Sequence, residues 1–178
     1  MRRYLTELRE RLPDVFAAYG ICILWVVFFL CFANVMYALV LGGKGVLQAG
    51  LLSVSFRFLP NVALSTIAAH PLLAIFSVLV AAPLLEEAVF RLLPLTLGRA
   101  LDRGNGLLVQ AMLYGVCFVI FGWLHGSYAN VAIQGVVGLV LGRLFLRGGE
   151  RNLFVPYITC AFVHSAYNFT ISFAGLLH

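Results

Sequence analysis

Charged residues are scarce in this chain: they make up 11% of its 178 residues, against 62% hydrophobic residues, and the mean hydropathy is +1.00. So few polar side chains cannot cover a water-soluble surface, which excludes an ordinary soluble domain. The alternating segments of about 10 residues that mark outer-membrane strands are also missing, so a β-barrel is excluded. Cys22, Cys31, Cys117 and Cys160 stand singly inside apolar runs, with no CxxC pair and no metal-ligand spacing, and read as packing residues. Neither HExxH nor GxSxG occurs, which removes the common zinc-protease and serine-hydrolase signatures although Ser127 and Ser165 lie near histidines. The absence of an internal repeat weighs against a transporter built from inverted halves. The net charge of +5 lies in short patches beside apolar runs rather than along one polar face, so it speaks of membrane topology and not of nucleic acid.

What is present is a series of apolar runs that reach the roughly 20 residues a helix needs to cross a ~30 Å hydrocarbon core. The expected fold is therefore all-α, a polytopic transmembrane helical bundle forming one membrane domain over residues 1–178. Residues 1–14 form a cytoplasmic amphipathic segment, and about five spans follow near 15–41, 71–97, 107–125, 129–147 and 153–176. The first run is too long for the apolar part of a signal peptide, so it reads as an uncleaved anchor. Arg57, Pro60 and Asn61 interrupt the apolar stretch 46–69, which suggests interfacial or re-entrant helices, with a sixth span as the alternative. An N-in start gathers Arg2, Arg3, Arg9, Arg11, Arg99, Arg103, Arg143, Arg147 and Arg151 on one side and only Lys44 and Arg57 on the other. That asymmetry places the N-terminus in the cytoplasm and fits an odd number of crossings. Gly135, Gly138 and Gly142 line one helix face, which suits close packing inside the bundle or, as the second reading, a homodimer through Gly138/Gly142.

Against this background a few polar residues stand out. Glu86, Glu87 and Arg91 fall within the second span, where a charge costs at least ~2.5 kcal/mol at the bilayer centre, so they must face the bundle interior and find partners. Glu87 and Arg91 are four apart on one helical face and suit a salt bridge, while Glu86 points about 100° away and is left as the less neutralised carboxylate. His125 ends the third span, and His164 and Asn168, also four apart, share a face of the fifth. A carboxylate, two imidazoles and a carboxamide are groups that can activate water and hold an oxyanion. A structural polar knot is the competing reading. Other polar residues rank lower: His70 and His178 read as interfacial, Asn34, Gln110 and Gln134 as interhelical hydrogen bonders, and Tyr128 and Tyr157 as members of an interfacial belt.

EExxxR (Glu86, Glu87, Arg91), FxxxH (Phe121, His125) and HxxxN (His164, Asn168), in that order on successive apolar segments, resemble the CPBP family of CaaX proteases and bacteriocin-processing enzymes, also called Abi. The resemblance covers residues 80–170. It implies a glutamic-type intramembrane endopeptidase in which Glu86 acts as general base on water with help from His125, and His164 and Asn168 stabilise the oxyanion. Glu87 and Arg91 would orient the site, with Phe121 supporting it. Many relatives carry a glycine after the arginine, whereas Leu92, Leu93 and Pro94 follow here, so a differently shaped helix end is expected.

The expected substrate is a membrane-anchored peptide or protein: a prenylated tail, a leader peptide or a C-terminal sorting signal. A prokaryotic cytoplasmic membrane is the expected location. No cofactor is favoured, but a divalent metal held by Glu86, His125 and His164 is the alternative, and a non-catalytic scaffold or immunity protein is the alternative of a different class. Straight helices at the stated boundaries leave one conflict, because they put Glu86 and His164 near mid-membrane and His125 at the outer end.

Overall fold

The computed structural model describes residues 6–7, 9–40, 70–102, 104, 106–125, 128–148 and 152–176. The expectation for residues 46–69 lies outside them. Five long helices account for nearly all of the described chain: α1 (Leu12–Val40), α2 (Pro71–Leu101), α3 (Leu107–Leu124), α4 (Tyr128–Arg147) and α5 (Phe154–Leu176). No strand occurs among the described residues. The fold is a helical membrane bundle. Segments in α1 to α4 are both long and apolar enough to cross a bilayer. Helix α5 has 23 residues, ~34 Å at 1.5 Å per residue, and is long enough to cross, but His164, Tyr167 and Asn168 interrupt its apolar run. Large apolar side chains such as Leu24, Leu72 and Phe16 point outward, as expected of a surface solvated by lipid.

Helix α4 touches each of the other four and forms the centre of the bundle. Its buried residues Ile133, Val137, Leu141 and Phe145 recur every four positions, and on α1 the buried stripe is Val15, Ala18, Cys22 and Val26. Because lipid is as apolar as leucine, helix association depends on close packing rather than on hydrophobic burial. The glycines supply that closeness. A Cβ on Gly138 would lie 2.0 Å from the Cys117 carbonyl oxygen, and one on Gly142 would lie 2.6 Å from Leu113 Cδ1, both on α3. Internal packing is therefore what this stripe does. At Gly138 and Gly142 that close neighbour is α3 of the same chain.

Helix α2 is 31 residues long and runs four residues past its expected end. Pro83 and Pro94 lie inside it without breaking it. A proline removes one helical N–H, and here the ladder adapts by widening into π-helical turns at Ser77–Ala81 and Ala88–Leu92. Met112–Ile120 of α3 is π-helical as well. The hairpin between α2 and α3 is tight: Asp102 accepts the backbone N–H groups of Gly104 and Gly106, each at 3.0 Å, and both glycines have positive φ (96° and 71°).

This hairpin resolves the depth conflict. Gly98 abuts Val109 and Met112, which sets the register of the two antiparallel helices. From that contact Glu86 lies 12 residues back along α2 and His125 lies 13 residues on from Met112 and 16 from Val109, and the two side chains meet at 3.8 Å. The conflict came from ending α2 at residue 97 and centring it. Helix α3 itself ends at Leu124, and His125 is its C-cap. At the opposite end of the bundle the arginines gather: Arg11 donates to the Gly148 carbonyl, Arg99 donates to the Leu146 carbonyl at 2.7 Å, and Arg147 meets Asp14 at 3.2 Å.

Candidate active site

Glu86 and Glu87 occupy the last turn of the α-helical segment Ala82–Glu87, between the two π-helical turns of α2. Glu87 and Arg91 are both fully buried, with Arg91 Nη1 at 3.1 Å from Glu87 Oε1. The i, i+4 pairing read from the sequence is thus present. Three further contacts surround it. The Arg91 guanidinium carbon sits 3.9 Å from the centroid of Phe121, a cation–π contact inside the bundle. Gly138 leaves room for Arg91 Nη2, which would lie 2.9 Å from a Cβ placed there. Glu87 Oε1 also accepts a hydrogen bond from His164 Nδ1 at 2.8 Å.

That last bond has a consequence for the imidazole. Glu87 is held by Arg91 and accepts, so His164 Nδ1 carries the proton. His125 is set in the same way: its Nδ1 lies 2.7 Å from the Phe121 carbonyl oxygen, which can only accept. In their neutral forms both imidazoles therefore present a bare Nε2. Those two atoms lie 3.7 Å (His164) and 3.8 Å (His125) from Glu86 Oε2. Glu86 Oε2 is itself buried and has no hydrogen-bond partner. Three acceptor atoms from α2, α5 and the end of α3 thus face one another across gaps too wide for a direct hydrogen bond and suited to a small donor such as water.

Phe121 is the wedge between them. Fully buried, it packs edge-on against Phe90 and His164, with ring centroids at 5.3 and 6.0 Å, and lies 4.6 Å from the His125 ring. Asn168 is one turn along α5 from His164, and its Nδ2 donates to the Val78 carbonyl at 3.0 Å. One of its two amide hydrogens is thereby committed to α2. Among the described residues no group of three His, Cys, Asp or Glu side chains is arranged to hold a metal ion.

Several contributors escaped the sequence reading. Buried Asn130, in the first turn of α4, donates to the His125 carbonyl at 2.6 Å and anchors the residue that closes α3. Tyr157, expected in an interfacial belt, instead donates to the Leu84 carbonyl at 2.9 Å. Ser165 and Cys117 bind the α2 carbonyls of Leu79 and Phe90. The signal available for these last two was the pair of prolines, each of which leaves a carbonyl needing a donor. Cys22, Cys117 and Cys160 are buried as expected, while Cys31 is exposed.

Helices of transmembrane length enclosing a centre of carboxylate, imidazole and carboxamide define an integral membrane protein with a buried polar site. The family model described as Type II CAAX prenyl endopeptidase Rce1-like matches residues 68–170. The chain belongs to this family of CAAX-type intramembrane peptide hydrolases, and the match takes in α2 to α4 and the part of α5 that bears His164 and Asn168. No match emerges among curated proteins or among solved structures.

Proposed function

We propose that this protein is a glutamic-type intramembrane endopeptidase in which Glu86 activates water. The observation that carries this reading is the placement of Glu86 Oε2 between the Nε2 atoms of His125 and His164 at 3.8 and 3.7 Å. A water held there donates to Glu86 and is oriented by His125. As its oxygen bonds to the scissile carbonyl carbon, Glu86 takes the proton and later passes it to the departing amine nitrogen. The oxyanion that develops needs donors: Asn168 offers the amide hydrogen that Val78 leaves over, and His164 offers one in the form protonated on Nε2 as well as on the Nδ1 held by Glu87. The reacting form in this reading therefore carries His164 as the imidazolium, and the water's two hydrogens go to Glu86 and His125. Arg91, Glu87 and Phe121 touch none of the reacting atoms and act by orienting His164.

The substrate we favour is a prenylated C-terminal tail. An apolar cavity of about 170 Å³, lined in part by Val78, Leu79, Phe169 and Phe173, opens beside the Asn168 end of the site and suits an apolar chain reaching it from the lipid. No metal takes part in the proposed chemistry. The test is cleavage of a quenched fluorescent farnesylated CAAX peptide by the purified protein in detergent. Glu86→Gln should lose at least about a hundredfold in kcat, the scale of a general-base contribution, and wild-type activity should survive strong chelation. Full activity in Glu86→Gln removes Glu86 from this role; loss on chelation that is restored by added zinc replaces the proposal with metal-held water.

A further inference from the structure

Pro83 lies three residues before Glu86, and Pro94 lies three residues after Arg91. Each lacks an N–H, so the carbonyl four residues earlier loses its α-helical partner, and in a π-helical turn so does the carbonyl five residues earlier. Pro83 thereby strips Leu79 and Val78, and Pro94 strips Phe90 and Val89. Inside a bilayer such a carbonyl cannot turn to bulk water, and neighbouring side chains have to satisfy it. Three of the four, Leu79, Val78 and Phe90, are met by a side chain from a helix that leads to a site histidine. Ser165 Oγ lies 2.6 Å from the Leu79 oxygen and Asn168 Nδ2 3.0 Å from the Val78 oxygen, both from α5; Cys117 Sγ lies 2.9 Å from the Phe90 oxygen, from α3.

Ser165 directly follows His164, and Cys117 lies on the helix that ends at His125. The Ser165 hydroxyl also approaches the Ala161 carbonyl of its own helix at 2.8 Å, but it has one proton, and the shorter contact is to α2. We propose that Ser165 and Cys117 are positioning residues: by donating to the carbonyls that Pro83 and Pro94 free, they set the distances of His164 and His125 from Glu86. The two prolines are then what lets α2 be pinned to each histidine-bearing helix by a backbone carbonyl, on either side of the carboxylate pair. This inference rests on the reading of Glu86 and the two histidines as the hydrolytic centre.

The experiment combines kinetics on the farnesylated CAAX peptide with NMR of the protein labelled with ¹⁵N-histidine, which reports the imidazoles whether or not the peptide is cut. Ser165→Ala should lower kcat about tenfold with KM held within about twofold, and should shift the His164 ring resonances. Ser165→Thr, which keeps the hydroxyl, should restore both. Adding Pro83→Ala to Ser165→Ala returns a backbone N–H to Leu79 and should recover most of the lost kcat. Cys117→Ala, Cys117→Ser and Pro94→Ala should behave in the same way toward His125. Should Ser165→Ala fail to fold alone, the comparison moves to the Pro83→Ala background, where removing the hydroxyl should be almost without effect.

Unchanged kcat and unchanged imidazole resonances in both Ser165→Ala and Cys117→Ala overturn the proposal. So does a loss that the proline substitutions do not reverse. If wild type and Glu86→Gln cut the peptide equally poorly while the imidazole resonances still respond as described, the pins stand and it is the hydrolytic reading that falls.

Discussion

Adjacent in sequence, Glu86 and Glu87 meet opposite surroundings. Glu87 is fully buried with its Oε1 shared between Arg91 and His164, whereas Glu86 is partly exposed and its Oε2 stands 3.7 and 3.8 Å from the Nε2 atoms of His164 and His125. The two should therefore respond differently to substitution. Glu87→Ala leaves the Arg91 guanidinium buried without its carboxylate, which is expected to lower stability by about 3–5 kcal/mol. Glu86→Gln should unfold within about 1 kcal/mol of wild type, because no buried charge loses a partner. Denaturant unfolding of the detergent-solubilised protein checks both, and equal stabilities would show that the Glu87–Arg91 pair is not a structural keystone. The Glu87–Arg91 pairing was legible from spacing alone, because i, i+4 neighbours share a face of any helix. The hydrogen bond from His164 to Glu87 was not, since it joins residues 77 positions apart. Nor was the commitment of Asn168 to Val78, which depends on a carbonyl released by a proline in another helix.

At the level of helices, the boundaries of all five follow the apolar runs to within a few residues, because length and hydropathy are local properties. The π-helical turns did not follow, although their causes, Pro83 and Pro94, were in view; whether a proline breaks, kinks or widens a membrane helix depends on which neighbours can satisfy the freed carbonyls. Packing tells a similar story. The Gly135, Gly138 and Gly142 stripe announced a close contact without saying with what, and α3 proves to be the partner. Gly138→Ala would place a methyl 2.0 Å from the Cys117 carbonyl oxygen, a backbone atom that cannot move aside by itself. A cost of about 1–3 kcal/mol, or more, is expected, together with a shift of α3 that weakens cleavage. Gly20 on α1 has nothing within 4 Å of its notional Cβ, so Gly20→Ala should be neutral or stabilising by up to about 1 kcal/mol. Thermal unfolding of the two variants side by side tests this, and equal melting points would show that the α3–α4 contact yields easily.

Over the whole molecule, Arg11, Arg99 and Arg147 mark one end of the bundle, where they also cap helix carbonyls or meet Asp14. With positive charge retained on the cytoplasmic face, a reporter fused to the N-terminus should be active only in the cytoplasm, and a cysteine replacing Gly104 in the α2–α3 hairpin should react with an impermeant thiol reagent only from that side. Labelling of the hairpin cysteine from the outside would invert the orientation. Composition and hydropathy by themselves determined that the chain is a helical membrane protein, and three short motifs in order pointed to its family, because burial in lipid restricts the backbone to helices and makes every retained charge conspicuous. What tertiary structure alone decided is how those charges are used: which imidazole nitrogen carries its proton, which carboxylate is neutralised, and at what level His125 meets Glu86. Those outcomes depend on contacts between helices far apart in sequence, on the register set by Gly98 against α3, and on carbonyls that two prolines release to their neighbours.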